Sequence, residues 1–175
     1  MVTVPIIVIV SGSRSKVVTK VQTAVACFKE GFSCSQAVIS TYGPELGLER
    51  DTALRLGSAF GAGMGRMGGT CGAVTGALMA LGLRSGSIDA KNLAAKEKTY
   101  APVREFARRF QTRNGSLICK ELLGCDLGTA EGLIQFKGRN LLDTHCARFV
   151  QSAAEILEEL FTADERGSTE LAEVR

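Results

Sequence analysis

The stretch Gly61–Gly76, GAGMGRMGGTCGAVTG, constrains this chain more than any other. It is dense in glycine and almost without bulk. Glycine suits places where backbone turns tightly or approaches another group closely, and such a run costs conformational entropy. The pattern predicts a loop over Gly63–Gly69, with Thr70 as N-cap of a helix that starts at Cys71 and stops near Gly82. Cys71 then sits in a first helical turn, where free N–H groups and the helix dipole favour an anion, so its thiolate should form more readily than in water. Small residues recur every four positions, Gly68, Gly72, Gly76 and Ala80 on one line. Where the chain is helical they make a ridge on which a second helix can lie close.

Helical periods dominate on both sides of this stretch. Ser15–Glu30 places Val17, Val21, Ala24, Val25 and Phe28 on one face. CSQAVISTY opens at Ser33 or Cys34, so Cys34 also lies in a first helical turn, and Gly43-Pro44 ends it. Glu49–Phe60 turns Ala53, Leu56 and Phe60 inward. Asp89–Arg113 carries a stripe of Leu93, Tyr100, Val103, Ala107 and Phe110, and Pro102 should kink or split it. Ser116 can cap the short segment LICKELLG, which carries Cys119. Gly124–Gly128 is a loop with Cys125, and Thr129–Phe136 is a weak helix. Asn140–Leu160 is a strong one, with Leu142, Cys146, Phe149, Val150, Ala153, Leu157 and Leu160 on one face. No alternating strand pattern follows residue 10. The expectation is an all-α, single-domain helical bundle of about six or seven helices, in which a glycine-rich loop leads into a central helix. Residues 1–14 form an N-terminal apolar arm or extension, 15–161 the helical domain, and 162–175 a polar, frayed tail.

The composition narrows the chemistry. A net charge of +3 is too small to argue for nucleic acid, and the absence of Trp argues against stacking platforms. Val2–Val10, VTVPIIVIV, is too short to span a bilayer and has no basic residue ahead of it, so membrane insertion is not expected. An apolar arm of this kind should be covered, by its own domain or by a symmetry mate, which points to a homodimer. Six cysteines in 175 residues are too few for a disulfide-stapled secreted scaffold. A reducing, cytoplasmic setting follows, with cysteines that are buried, redox-active or metal-bound. The single histidine, His145, reads as a partly exposed helix residue, and Gly63-x-Gly65-x-x-Gly68 lacks the preceding strand a dinucleotide site needs. Arg66 reads as a solvated loop cation. Asn114-Gly-Ser matches a glycosylation sequon with no secretion signal to support its use.

The cysteines remain. No C-x-x-C pair announces a zinc site. Cys34, Cys71, Cys119 and Cys146 are widely spaced, one per helix or helical turn, which suits a site assembled inside a bundle. CGAVTG at Cys71–Gly76 resembles the CGAxxG signature of the C_GCAxxG_C_C family of redox-active proteins. GFSCSQAV, CKELLGCDL and CARFVQSAAEILEEL are similar to its other cysteine motifs, over roughly Val17–Leu160. Carried over residue by residue, the resemblance makes Cys34, Cys71, Cys119 and Cys146 the site cysteines and leaves Cys27 and Cys125 outside the pattern. It implies either a thiol redox protein with an unknown redox partner and substrate, or a protein whose same four cysteines hold an iron–sulfur cluster or another metal. On the first reading Cys71 is the low-pKa nucleophile and another of the four resolves it. The sequence has no C-x-x-C-H, so covalent c-type haem is not expected. A third reading makes the chain a helical assembly domain whose cysteines only fill the core.

Overall fold

The computed structural model describes residues 18–173, with side chains placed up to residue 166. The fold is all-α. Eight right-handed helices follow one another: α1 (Lys20–Lys29), α2 (Cys34–Tyr42), α3 (Arg50–Ser58), α4 (Gly72–Ser85), α5 (Leu93–Asn114), α6 (Cys119–Leu123), α7 (Ala130–Gly138) and α8 (Ala147–Glu173). A 3₁₀ turn at Pro44–Leu46 follows α2, and a π-helical turn at Leu142–Cys146 leads into α8.

Local sequence sets most helix starts. Thr19 caps α1 and Ser33 caps α2, each in a reciprocal capping box with the glutamine three residues on, Gln22 and Gln36. The α1 helix therefore begins at Lys20, not Ser15. Thr129 accepts from the Gly132 N–H and caps α7. In α3 the inward face is Ala53 and Gly57, while Leu56 is 47% exposed. A Cβ at Gly57 would lie 2.9 Å from Gln36 Cα, so here the helix meets α2 backbone to backbone and leaves no room for a leucine on that line. The α5 helix runs unbroken through Pro102. Its buried face is Phe106 and Phe110, whereas Leu93 and Tyr100 point outward. Polar groups tie the ring of helices closed. The buried Ser35 hydroxyl donates to Gly57 O at 2.6 Å, Tyr42 Oη donates to Ala154 O at 3.0 Å, and Asn114 Nδ2 donates to Ser152 Oγ at 2.9 Å. The sequon asparagine thus has its amide engaged in helix packing.

The centre is the contact of α4 with α2. The small-residue ridge lies against α2 of the same chain and is therefore no free surface for a second copy. A Cβ at Gly76 would sit 2.8 Å from Ser35 O and 3.0 Å from Val38 Cβ, and one at Gly72 3.1 Å from Cys34 Cβ. Around this pair the core gathers Val38, Ile39, Val74, Leu81, Phe110 and Leu157, all at most 2% exposed. The α8 helix does not fray at Leu160 but continues to Glu173. The expectations for Val2–Val10, and for Val17 on α1, fall outside the described residues.

Candidate functional site

The glycine-rich stretch is not an open loop. Ala62, Gly63, Met64, Gly65 and Arg66 all have positive φ, between 54° and 72°. They form a left-handed turn in which Met64 N and Gly65 N donate to Phe60 O and Gly61 O. Left-handed backbone costs an L-residue roughly 1–2 kcal/mol, and three of the five are not glycine. At Gly63 a side chain has no room either, since a Cβ would meet Cys119 Cβ at 2.6 Å. The turn lays its backbone directly on Cys119.

Beyond the turn, residues 69–71 pair with 117–119 through an antiparallel bridge between Thr70 and Ile118. Cys71 N donates to Leu117 O at 2.8 Å and Cys119 N donates to Gly69 O at 2.7 Å. Thr70 is therefore a bridge residue and not the N-cap. Cys71 itself is the N-cap of α4, which starts at Gly72 and ends at Ser85, past Gly82. This bridge, which periodicity does not reveal, sets Cys71 beside Cys119. Ser116 keeps a turn role, accepting from Ile118 N at 3.0 Å just ahead of α6.

Cys146 is placed by the π turn, in which Ala147 N donates to Leu142 O. The extra residue rotates Leu142 off the inward face, so Leu142 is 48% exposed and lies on the cavity lining instead of in the core. Such single-turn π insertions are frequent at functional sites. Cys34, first residue of α2, lines the same cavity as Cys146.

All four cysteines line one cavity of about 590 Å³. Its other walls are largely apolar, with Phe28, Phe32, Leu123, Leu127, Phe136 and Phe149 among them. Arg66 and Lys137 stand on its lining, both exposed to solvent. Cys27 and Cys125 are buried but do not line it; Cys27 Sγ lies 3.6 Å from Ser40 Oγ. His145 does not line it either, and its Nδ1 is 2.8 Å from Thr144 Oγ1. All six cysteines are free and buried.

Burial decides the electrostatics. The expectation of an easily formed Cys71 thiolate fails. Desolvation pushes the Cys71 thiol up to about 11, and the Ala73 and Val74 amides at the helix start only partly offset it. Burial, with further contributions from Cys71 and Cys146, pushes Cys119 up to about 12. Cys34 and Cys146 behave as a pair. The Cys34 thiol donates toward Cys146, which holds Cys146 below its ordinary range against the opposing effect of burial. The same hydrogen bond, then burial, raises Cys34 well above 9.0. The thiolate most readily formed in the cavity belongs to Cys146.

A pH dependence of stability follows from Cys71 and Cys119. Their folded values lie above the ordinary 9.0, so the unfolded chain loses these protons first. Their contribution is whole below pH 9 and is lost as pH rises through about 11 to 12. Melting temperature is expected to fall over that window. Cys71→Ala should flatten the fall, and thermal melts of both proteins from pH 7 to 11 measure the difference.

Among the described residues, no group of three or more His, Cys, Asp or Glu side chains is placed to hold a metal ion. No helix among the described residues is long and apolar enough to cross a membrane.

The fold and site define a class: a helical bundle that converges distant cysteines on an apolar internal cavity. The family model described as "Putative redox-active protein (C_GCAxxG_C_C)" matches residues 32–160. The chain belongs to this family. No curated protein and no solved structure matches the chain.

Proposed function

We propose that the chain is a thiol–disulfide redox protein whose site cysteines are Cys34, Cys71, Cys119 and Cys146, with Cys146 the nucleophile and Cys34 the resolving thiol. The observation that supports this reading is that Cys34 and Cys146 line one cavity and perturb each other's proton affinity in opposite directions. A thiolate attacks and a thiol does not, which supports Cys146 as the attacking sulfur and Cys34 as the resolving one. Cys146 sulfur attacks one sulfur of a disulfide substrate, forming a mixed disulfide as the substrate S–S bond breaks. The departing thiolate takes the Cys34 proton and leaves as a thiol. The Cys34 thiolate then attacks Cys146 sulfur, which closes the Cys34–Cys146 disulfide. The second substrate thiolate is released and is protonated by water. Two electrons pass from the cysteine pair to the substrate. Cys71 and Cys119, neutral at physiological pH, complete the wall beside them.

The test is to treat the reduced native chain with hydroxyethyl disulfide and map the products by peptide mass spectrometry. A Cys34–Cys146 link is expected. A product linking only Cys71 to Cys119, or no intramolecular link, overturns the pairing. Six free cysteines fit a reducing, cytoplasmic setting for this activity.

A homodimer belongs to the same reading and rests on the apolar sequence of Val2–Val10. Sedimentation of the intact chain should give a dimer, and a chain lacking residues 1–12 should give a monomer. Two monomers of equal stability would remove the dimer.

A further inference from the structure

The cavity walls say which disulfides can enter. The polar groups that Ser33 and Gln36 present are already committed to the fold. Ser33 Oγ accepts from Gln36 N, and Gln36 Nε2 donates to Leu54 O at 2.9 Å. No lining residue is acidic. Arg66 and Lys137 supply the only charges, and neither takes part in an ion pair among the described residues. Arg84, Arg104, Arg108, Arg109 and Arg113 meet carboxylates, whereas Arg50, Arg55, Arg139 and Arg148, like Arg66, form no ion pair among the described residues; what sets Arg66 and Lys137 apart is that they line the cavity. Arg66 is also held in left-handed backbone at φ 69°, a conformation that fixes where its side chain leaves the chain. Two unpaired cations on the rim of an apolar chamber of about 590 Å³ are complementary to one kind of small molecule.

We propose that the cavity binds an amphipathic anion, an apolar body seated among the thiols with a carboxylate at Arg66 and Lys137. Resting on the thiol–disulfide reading above, this makes the substrate an apolar disulfide that carries an acid group. Polar peptide disulfides are disfavoured, because their amides and charges would lose water against Phe28, Phe136 and Phe149, with Asn140 as the one uncommitted neutral polar side chain on the lining.

Binding and exchange are tested separately on the intact reduced chain. Decanoate and decanol cannot exchange with thiols, so calorimetry with these two reads the cavity alone. Decanoate is expected to bind about tenfold more tightly than decanol, the scale of two solvent-exposed ion pairs. Arg66→Gln and Lys137→Gln together should bring decanoate down to the affinity of decanol and leave decanol unchanged. Both residues are on the surface, so the variants are expected to melt with the parent. Equal affinities in the parent, no binding of either, or an unchanged preference in the double variant would each overturn the assignment. Exchange is read as the rate of disulfide reduction with lipoate, neutral lipoamide and glutathione disulfide. Lipoate should be reduced at least tenfold faster, in the second-order rate constant for a single turnover by the fully reduced chain, than either of the others. Glutathione disulfide or lipoamide reduced as fast as lipoate overturns the substrate class. Selective decanoate binding with no reduction of any disulfide overturns the thiol chemistry and leaves the binding assignment standing.

Discussion

Cys146→Ser is expected to lower the rate of disulfide reduction at least about a hundredfold, because no other thiol in the cavity is held below its ordinary range. Cys34→Ser should behave differently. Serine in place of Cys34 still leaves Cys146 a thiol that can attack, but nothing remains to resolve the product. One equivalent of mixed disulfide per chain should therefore accumulate on Cys146, visible as a mass increase on the intact protein. Cys125→Ser, outside the cavity, should change neither result. The pH profile adds a constraint. Cys34 donation lowers Cys146, so the reaction rate of Cys146 should reach its plateau at a lower pH in the parent than in Cys34→Ala, which lacks the donor. Identical profiles for these two proteins would separate Cys146 from Cys34 and remove the assigned roles. The profile for the variant is read from formation of the mixed disulfide, since the cycle cannot close.

Gly76→Ala should destabilise the fold by about 2 kcal/mol, although alanine is the better helix former by about 1 kcal/mol. The added Cβ would lie 2.8 Å from Ser35 O and 3.0 Å from Val38 Cβ, so α4 must move off α2 or α2 must bend. Neither clash partner is the far end of a flexible side chain. Gly82→Ala in the same helix is the control, since a Cβ there meets nothing within 4 Å. It should stabilise by up to about 1 kcal/mol. The two substitutions are thus chemically identical, share one helix and carry opposite expected signs. Thermal melts should show Gly76→Ala falling by roughly 5 °C and Gly82→Ala rising by roughly 2 °C, on the scale for a domain of this size. A Gly76→Ala protein as stable as the parent would mean that the α2–α4 contact is looser than the structure has it. Because Cys34 starts α2 and Cys71 caps α4, a shift at Gly76 also opens the cavity. Loss of Cys34–Cys146 closure in a folded Gly76→Ala chain would be the functional sign of that shift.

Helix starts were legible at Ser33 and Thr129, which cap their helices with groups three residues away, so that a single chain segment contains everything needed. The same local signal at Thr19 was missed, and the first helix was started at Ser15. Helix faces were legible where period and packing agree, as at Phe149, Val150, Ala153 and Leu157. They were misread where a neighbour's backbone comes too close for a side chain. Leu56 loses the inward position to Gly57 for that reason, and Leu142 is turned out by one inserted residue in a π turn. Tyr100 and Leu93 were placed inward by hydrophobicity alone, yet the stretch of α5 that packs is the later one, with Phe106 and Phe110.

The cysteines divide along the same line. Their number, their spacing and the CGAxxG string come from the sequence, and so does the grouping of four that the family match over residues 32–160 accompanies. Helix-terminal position, a local property, pointed to Cys71 as the reactive thiol. Desolvation, a property of everything packed around the sulfur, reverses that and leaves Cys71 protonated at about 11. The partner that stabilises the Cys146 thiolate comes from the opposite end of the chain, so no window of sequence contains both. The same holds for the bridge that sets Cys71 beside Cys119 and for the two cations on the cavity rim. Helix, cap and cysteine were set by neighbours along the chain. Thiol pairing, pKa and cavity were set by neighbours in space, because charge and solvation respond to distance and not to residue number.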